Sequence, residues 1–444
     1  MRSTHDGMAA TRRGPLLALA LAGMVMAATL TACSSTQTPS ATTTSSSSSS
    51  TPSSAIPASA FKDFTGITPT SVSVGNVSTL VAGLFKGAAV GTDAYAAYAN
   101  SQGGVIGRRL VVDSGDDGYS GAPNKQLTAA AIQKDFAMVG SFSLQDSFGG
   151  VVLAANPQVP NVTVTLDAAT AALPNSFSPS PAAGGWQLGP LVYFQKKYPS
   201  EVLHAGALIS DQPSAETKWA GELAAMNHLG YKVVYDPTFD ISQTSFDQNV
   251  IAMKNDGVKI LFLEQMPQNY AASVVKALND QNFHPVVVLG GSTYSEGLVP
   301  NSGGAAAIDG SFLEQNTSLY LGEDAGSLPA VNTFLTWVQK VSPGFKADLY
   351  TLFGWLSAEL FSQALQSAGA NPSRGSVLQA LRGITSFSGG NLVGTANPAK
   401  KLPTNCYIIA QIENGQFKRL DDPPVSGPTH GYRCDQPYYF AAPQ

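Results

Sequence analysis

Residues 97–110 read Ala97-Tyr98-Ala99-Asn100-Ser101-Gln102-Gly103-Gly104-Val105-Ile106-Gly107-Arg108-Arg109-Leu110. The first part is alanine-rich and favours a helix. Gly103, Gly104 and Gly107 then break it, because glycine enters the left-handed backbone region without steric cost. Leu110 to Asp113 is apolar and β-branched, a strand. A helix that hands over to a strand through a short turn is the repeating joint of an α/β fold. Upstream, Ser71 to Val77 alternates with Val72 and Val74 inward, a strand, and Leu84 to Ser101 is the helix.

The alternation continues in both directions of this joint. Pro123 to Lys134 and Phe148 to Asn156 read as helices, Phe136 to Gly140 and Val162 to Val164 as strands. A second series follows, with helices over 188–198, 215–229, 246–256 and 270–281 and strands over 202–209, 232–235, 260–263 and 286–289. In the helix 215–229, Trp219, Leu223 and Met226 form one apolar stripe. Such βαβα order predicts parallel sheets covered by helices on both faces, and two series predict two Rossmann-like lobes. Beyond Gly310 come a strand (311–313), a long helix (347–368), a short one (376–381) and a hairpin, 407–412 and 416–418, around Asn414-Gly415.

Composition narrows the partners. The 444 residues suffice for two or three domains. Lys plus Arg total 25 against 30 Asp plus Glu, so no basic excess exists to bind nucleic acid. One long apolar run occurs, near the start, which argues against a polytopic membrane protein. There Arg12 and Arg13 precede the apolar stretch Leu16 to Leu30, the pattern of a secretory signal over 1–32. A membrane span is the rival reading, for which the run is short. Leu30-Thr31-Ala32-Cys33 resembles a bacterial lipobox, which implies cleavage before Cys33 and its lipidation. Residues 33–60, with six consecutive serines from Ser45 to Ser50, have nothing to bury and read as a flexible tether. The expected location is the outer face of the cytoplasmic membrane, reached through the lipid alone. Cys406 and Cys434 remain in an oxidising compartment; a disulfide is expected, with two free thiols as the alternative.

The stretch from Ser71 through Asp117 resembles the opening of the branched-chain-amino-acid-binding family of type I periplasmic binding proteins, the extracytoplasmic receptors of ABC importers. The quoted joint carries the likeness, joined by Asp113 to Asp117, Val139-Gly140-Ser141, Val159-Pro160-Asn161-Val162 and the region 202–230. The spacing of elements agrees over roughly 70–440. The resemblance implies two α/β lobes whose hinge the chain crosses three times. Lobe one is then expected at 65–183 and 310–400, lobe two at 184–309 and 401–444.

Ligands of such sheets sit beyond the carboxyl ends of the strands. In lobe one the loops there hold Ser78, Ser141, Phe142, Ser143, Thr163 and Thr165. The resembled family uses the later two loops for a ligand carboxylate, for which hydroxyls and helix N-termini are suited. The competing reading makes the hydroxyls caps and turn residues, and Phe142 core. In lobe two the candidates are Asp211, Glu264, Ser292, Thr293, Tyr294 and Trp186. Amino-acid-binding members carry an acidic residue near the last loop, where this chain has the neutral Ser292 and Thr293; Asp211 or Glu264 are the substitutes on offer. No Walker P-loop, HExxH or G-x-S-x-G pattern occurs, so no enzyme, metal or cofactor is expected. The reading is a monomeric, lipid-anchored solute receptor that delivers a small amino acid, amide or carboxylate to an ABC permease. A ligand-sensing lipoprotein that signals to a membrane receptor or kinase is the alternative.

Overall fold

A computed structural model describes residues 55–181, 185–420 and 429–440. The signal, Cys33 and most of the tether lie outside these residues. The first series runs β1 (Ser71–Ser78), α1 (Lys86–Ser101), β2 (Arg109–Asp116), α2 (Gly121–Lys134), β3 (Ala137–Val139), α3 (Asp146–Ala155), β4 (Asn161–Val162), α4 (Ala168–Ala172) and β5 (Ser176–Phe177). Its five strands form a parallel sheet in the order β2-β1-β3-β4-β5. The quoted joint shows why helix and strand meet there. The side chain of Asn100 clamps Leu110 from both sides, donating to its carbonyl and accepting from its amide, each at 2.8 Å. At Gly104 (φ +81°) a Cβ would meet the Arg108 carbonyl oxygen at 2.2 Å.

The second series runs β6 (Trp186–Gln187), α5 (Leu188–Lys197), β7 (Ala205–Ala207), β8 (Ile209–Ser210), α6 (Pro213–Leu229), β9 (Val233–Tyr235), β10 (Thr238–Phe239), α7 (Asp247–Asn255), β11 (Ile260–Leu263), α8 (Gln268–Asp280), β12 (Val286–Gly290), α9 (Leu298–Asn301), α10 (Ala305–Ile308) and β13 (Phe312–Gln315). Helix α6 starts with Pro213 in its first turn and stops at Gly230, φ +84°. All four residues of β11 are buried, as strands covered on both faces must be. Residues 202–204, expected as the start of a strand, belong instead to a 3-10 turn, Glu201–His204, before β7.

Helices α11 (Pro329–Val341), α12 (Leu349–Ser367) and α13 (Arg374–Leu381) follow. The chain ends in β14 (Ile408–Glu413), β15 (Gln416–Arg419) and β16 (Tyr438–Tyr439). The second sheet has the order β15-β14-β13-β12-β11-β7-β9, with β14 and β15 antiparallel. Asn414 and Gly415, both at positive φ, turn the hairpin, and Asp309 accepts from both their amides. Strand β13 pairs with β12 and β14, so the chain leaves lobe two after Gln315 rather than at the expected residue 310. Helix α11 was not anticipated, although Val331, Phe334 and Val338 mark a buried stripe at helical spacing. The chain passes between the sheets after β5, after β13 and before β14, which makes two α/β lobes and three crossings.

Helix α12 returns to lobe one and lies against α1. The approach is close because three glycines face it: a Cβ on Gly91 or Gly354 would come within 1.9 Å or 2.1 Å of a carbonyl oxygen on the opposite helix, and one on Gly87 within 2.2 Å of the Asp348 carboxylate. Asp348 caps α12 with Thr351 as its reciprocal partner. The buried guanidinium of Arg374 at the start of α13 ties the same lobe, donating to the carbonyls of Ile132, Asp135 and Phe136 and to Asp63. Cys406 and Cys434 are joined in a disulfide.

Denaturant unfolding tests these contacts. Gly91→Val or Gly354→Val should cost ~3 kcal/mol or more by overpacking. Gly326→Ala, with open space around it, should stay within about 0.5 kcal/mol. Cys406→Ser should cost about 3 kcal/mol and make the protein insensitive to reductant.

Candidate functional site

The carboxyl ends of β1, β2 and β3 are stitched together by hydroxyls. Ser78 Oγ donates to Asn76 Oδ1 and accepts from the Phe142 amide. Ser141 Oγ accepts from the Val77 amide at 2.9 Å. Ser143 Oγ donates to the buried carboxylate of Asp117, which also takes Thr79 Oγ1 at 2.8 Å and Asn124 Nδ2 at 2.9 Å. Thr163 Oγ1 reaches Asn161 Oδ1 and Thr165 Oγ1. These four serine and threonine hydroxyls are engaged within the lobe, and the structure brings them together as loop ties. Asp117 is the hub, and sequence reading did not single it out.

Above these ties lies an aromatic cluster. Phe142 stands at its centre, with ring centroids 4.9 Å from Phe85, 4.8 Å from Tyr350 and 6.1 Å from Phe353. Leu144, Val164 and Leu166 pack around it. Phe85 and Phe142 are buried, whereas Tyr350 and Phe353 are half-buried. Thus Phe142 is core to the cluster and the faces left open belong to the first turns of α12. Neither Tyr350 nor Phe353 was anticipated, because nothing in the local pattern says that a helix some 200 residues downstream ends beside β3. At the edge of this wall, Asp146 accepts from the amides of Leu166 and Asp167, yet burial holds its carboxyl up at about 6.

In lobe two the expected residues separate. Asp211 is exposed just after β8, and its carboxylate accepts from Gln212 Nε2. Ser292 Oγ donates to the carbonyls of Glu264 and Met266 and so binds the loops after β11 and β12. Thr293 is buried and donates to the Gly290 carbonyl. Tyr294 is 1% exposed, packs edge-on against Tyr320 and Phe417 and donates to Glu323, so it forms no open wall. Trp186 is half-buried in β6, against the layer under α6. Glu264 is buried, beside Glu314 and Glu222. Burial raises all three carboxyls, Glu222 to about 8. Lys346, before α12, pairs with Glu296, after β12, and so bridges the lobes at the surface. Two concavities lie away from these loops, one of about 270 Å³ at the amino ends of β12 and β13, one of about 720 Å³ beside β15.

A family model described as periplasmic binding protein matches residues 73–416. No curated protein matches by sequence. Among solved structures, a fatty acid ABC transporter substrate-binding protein from Thermomonospora curvata is 17% identical, with a TM-score of 0.65 over 84% of this chain and 94% of that one. A solute-binding protein of an R. palustris ABC transporter in complex with 4-hydroxybenzoate is 17% identical, TM-score 0.66, covering 83% and 98%. A branched chain amino acid ABC transporter from Thermus thermophilus with bound valine is 14% identical, TM-score 0.67, covering 80% and 96%. At these identities the likeness is one of fold.

The buried acids set a pH dependence. A carboxyl held neutral in the folded state, at about 8 for Glu222 against 4.5 when free, stabilises the fold fully below pH 4.5. That contribution is lost as pH rises through 8. Urea unfolding should therefore show stability falling by ~3 kcal/mol between pH 5 and 8, and Glu222→Gln should flatten the profile.

Proposed function

Because the chain belongs to the periplasmic binding protein family, we propose that it is the lipid-anchored, extracytoplasmic receptor of an ABC importer, closing its two lobes on a small amphipathic solute. The observation that carries the solute class is the aromatic wall at the strand ends of lobe one, where Tyr350 and Phe353 keep open faces. An apolar body suits that wall, since burial of apolar area drives such binding. The relatives named above bind valine, 4-hydroxybenzoate and, by its name, fatty acid; an apolar body bearing a carboxylate is common to all. The polar head is left to backbone groups of the 141–145 and 163–166 loops or to the acidic end of lobe two, because the hydroxyls of Ser78, Ser141, Ser143 and Thr163 are already engaged.

Closure is a population shift. A solute that touches both lobes favours the closed form by its differential affinity, and the permease reads that form. Cys33 in its lipobox and the serine-rich tether support the anchor.

Thermal unfolding of the full chain against amino acids, their deaminated acids, amines, amides and sugars tests this reading. A true solute at 100 times its Kd adds ~2.7 kcal/mol, a shift of a few degrees. Phe353→Ala should weaken that solute at least about tenfold, given the ~3 kcal/mol scale of a lost aromatic contact. Cys33→Ser should release the protein from the membrane fraction. Loss of solute uptake on deletion supports the importer; normal uptake with altered transcription would instead identify a sensor.

A further inference from the structure

Lobe one has two ends of opposite charge. Strands β1, β2 and β3 begin at one end, its base, where the segment 55–70 runs beneath them. There the Gly66 carbonyl accepts from the Ser73 amide, that of Thr70 from the Arg109 amide and that of Thr68 from Arg108 Nε, each at 2.8 Å. The start of α13 closes on the same segment, where a Cβ on Gly375 would meet the Phe61 amide nitrogen at 2.7 Å. The turns of this base carry Lys62, Arg108, Arg109, Lys134 and Arg374 against Asp63 and Asp135. The turns at the opposite end, beside the aromatic wall, carry Asp116, Asp117, Asp146, Asp167 and Asp348 against Lys86 and Lys346.

Both acids of the base are accounted for: Asp63 pairs with Arg374 and Asp135 is buried. Lys134 pairs with Asp113. Lys62 and Arg109 are exposed, and among the described residues neither forms an ion pair. Arg108 donates to the carbonyls of Thr68 and Ala370 and adds its charge to theirs. Beside Lys62 stand Phe61 and Phe64, 43% and 50% exposed. The carbonyl ends of α1, α2 and α12 meet here and account for cations such as Lys134. They do not account for two aromatic rings in water. Rings beside cations suit a lipid surface, where aromatic side chains settle at the interface and basic ones meet phosphate. The covalent path agrees. The described chain begins at Ala55 and enters this base directly. The stretch from Cys33 therefore joins lobe one at this end, and it spans at most ~75 Å.

We propose that the base of lobe one lies on the anionic surface of the cytoplasmic membrane, with Phe61 and Phe64 at the headgroup level and Lys62, Arg108 and Arg109 against phosphate oxygens. This rests on the lipid anchor proposed above and goes beyond it: the lipid holds the chain at the membrane and the base orients it. Three cations and two rings are too few to hold a protein there alone, so the anchor stays necessary. The chain's net negative charge, which points to contact through the lipid alone, hides this local basic excess. The acidic end of the lobe is repelled by the same headgroups and turns outward, where solute arrives.

The test is acetylation of lysines on the full chain, read residue by residue by mass spectrometry. The chain is compared in detergent, on phosphatidylcholine vesicles and on vesicles half of phosphatidylglycerol. We expect Lys62 to be labelled about fivefold less on the phosphatidylglycerol vesicles than in detergent, with the exposed Lys276 and Lys418 unchanged. Salt at about 1 M should restore labelling, because screening then acts within ~3 Å. A double variant, Phe61→Ser with Phe64→Ser, should lose the protection; its unfolding midpoint checks that it folds, and the salt series needs no variant. Equal labelling of Lys62 in detergent and on vesicles that carry the protein overturns the base contact and leaves the anchor standing. Protection in detergent that fades on dilution gives the base to a second copy and also overturns it. The mass of the purified chain reads the lipid on Cys33 separately. Without that lipid the anchor falls, and the base contact is then upheld only by flotation of the chain with phosphatidylglycerol vesicles and overturned by its absence.

Discussion

Backbone-to-backbone contact between α1 and α12 is the constraint on which the rest of lobe one depends. Gly91 and Gly354 let each helix touch carbonyl oxygens of the other, and no larger residue fits. This contact brings a segment from after the second lobe back onto the first. It therefore forces the chain to cross between lobes again after β13 and before β14. It also puts the first turns of α12, with Tyr350 and Phe353, beside Phe85 and Phe142. The apolar wall at the strand ends is a consequence of that helix crossing, not of the loops that surround it.

The two lobes manage buried polarity differently. In lobe one the carboxylate of Asp117 is saturated by Thr79, Asn124, Ser143 and the Tyr119 amide, which makes a rigid platform. Satisfied buried networks of this kind specify one arrangement. In lobe two, Glu222, Glu264 and Glu314 meet around a glycine with oxygens left over. The contrast follows from donors: lobe one supplies hydroxyls and amides to its acid, lobe two supplies one glutamine to three.

The lobes are also joined by packing, since edge-to-face aromatic contacts run from Tyr294 through Tyr320 and Phe334 to Trp355 of α12. Beside the three chain crossings, the exposed Lys346–Glu296 pair spans the rim, and pairs of that kind contribute at most about 1 kcal/mol. A solute biases such a two-lobe equilibrium only by its differential affinity for the two forms.

Periodicity and glycine placement determined most of the fold. The joint at 97–110 is legible because its glycines and Asn100 act locally, within ten residues of Leu110. The alternation of helices and strands, the Asn414-Gly415 hairpin and the Cys406–Cys434 pairing were legible for the same reason: each follows from local conformation or from a single available partner. The site was legible only in its location. That Ser78, Ser141 and Ser143 lie at strand ends follows from element order; that the hydroxyls of Ser141 and Ser143 turn inward depends on the Val77 amide and on Asp117, 64 and 26 positions away, which local patterns do not link to them. Tertiary structure alone decided that β13 belongs to the second sheet, that Tyr294 is sealed against Tyr320 and Phe417, and that Tyr350 and Phe353 pack on Phe85 and Phe142. It alone brought Glu222 over Glu264 and Glu314. These are contacts between residues tens to hundreds of positions apart, set by which faces pack, and hydropathy patterns mark a face as buried without naming its partner.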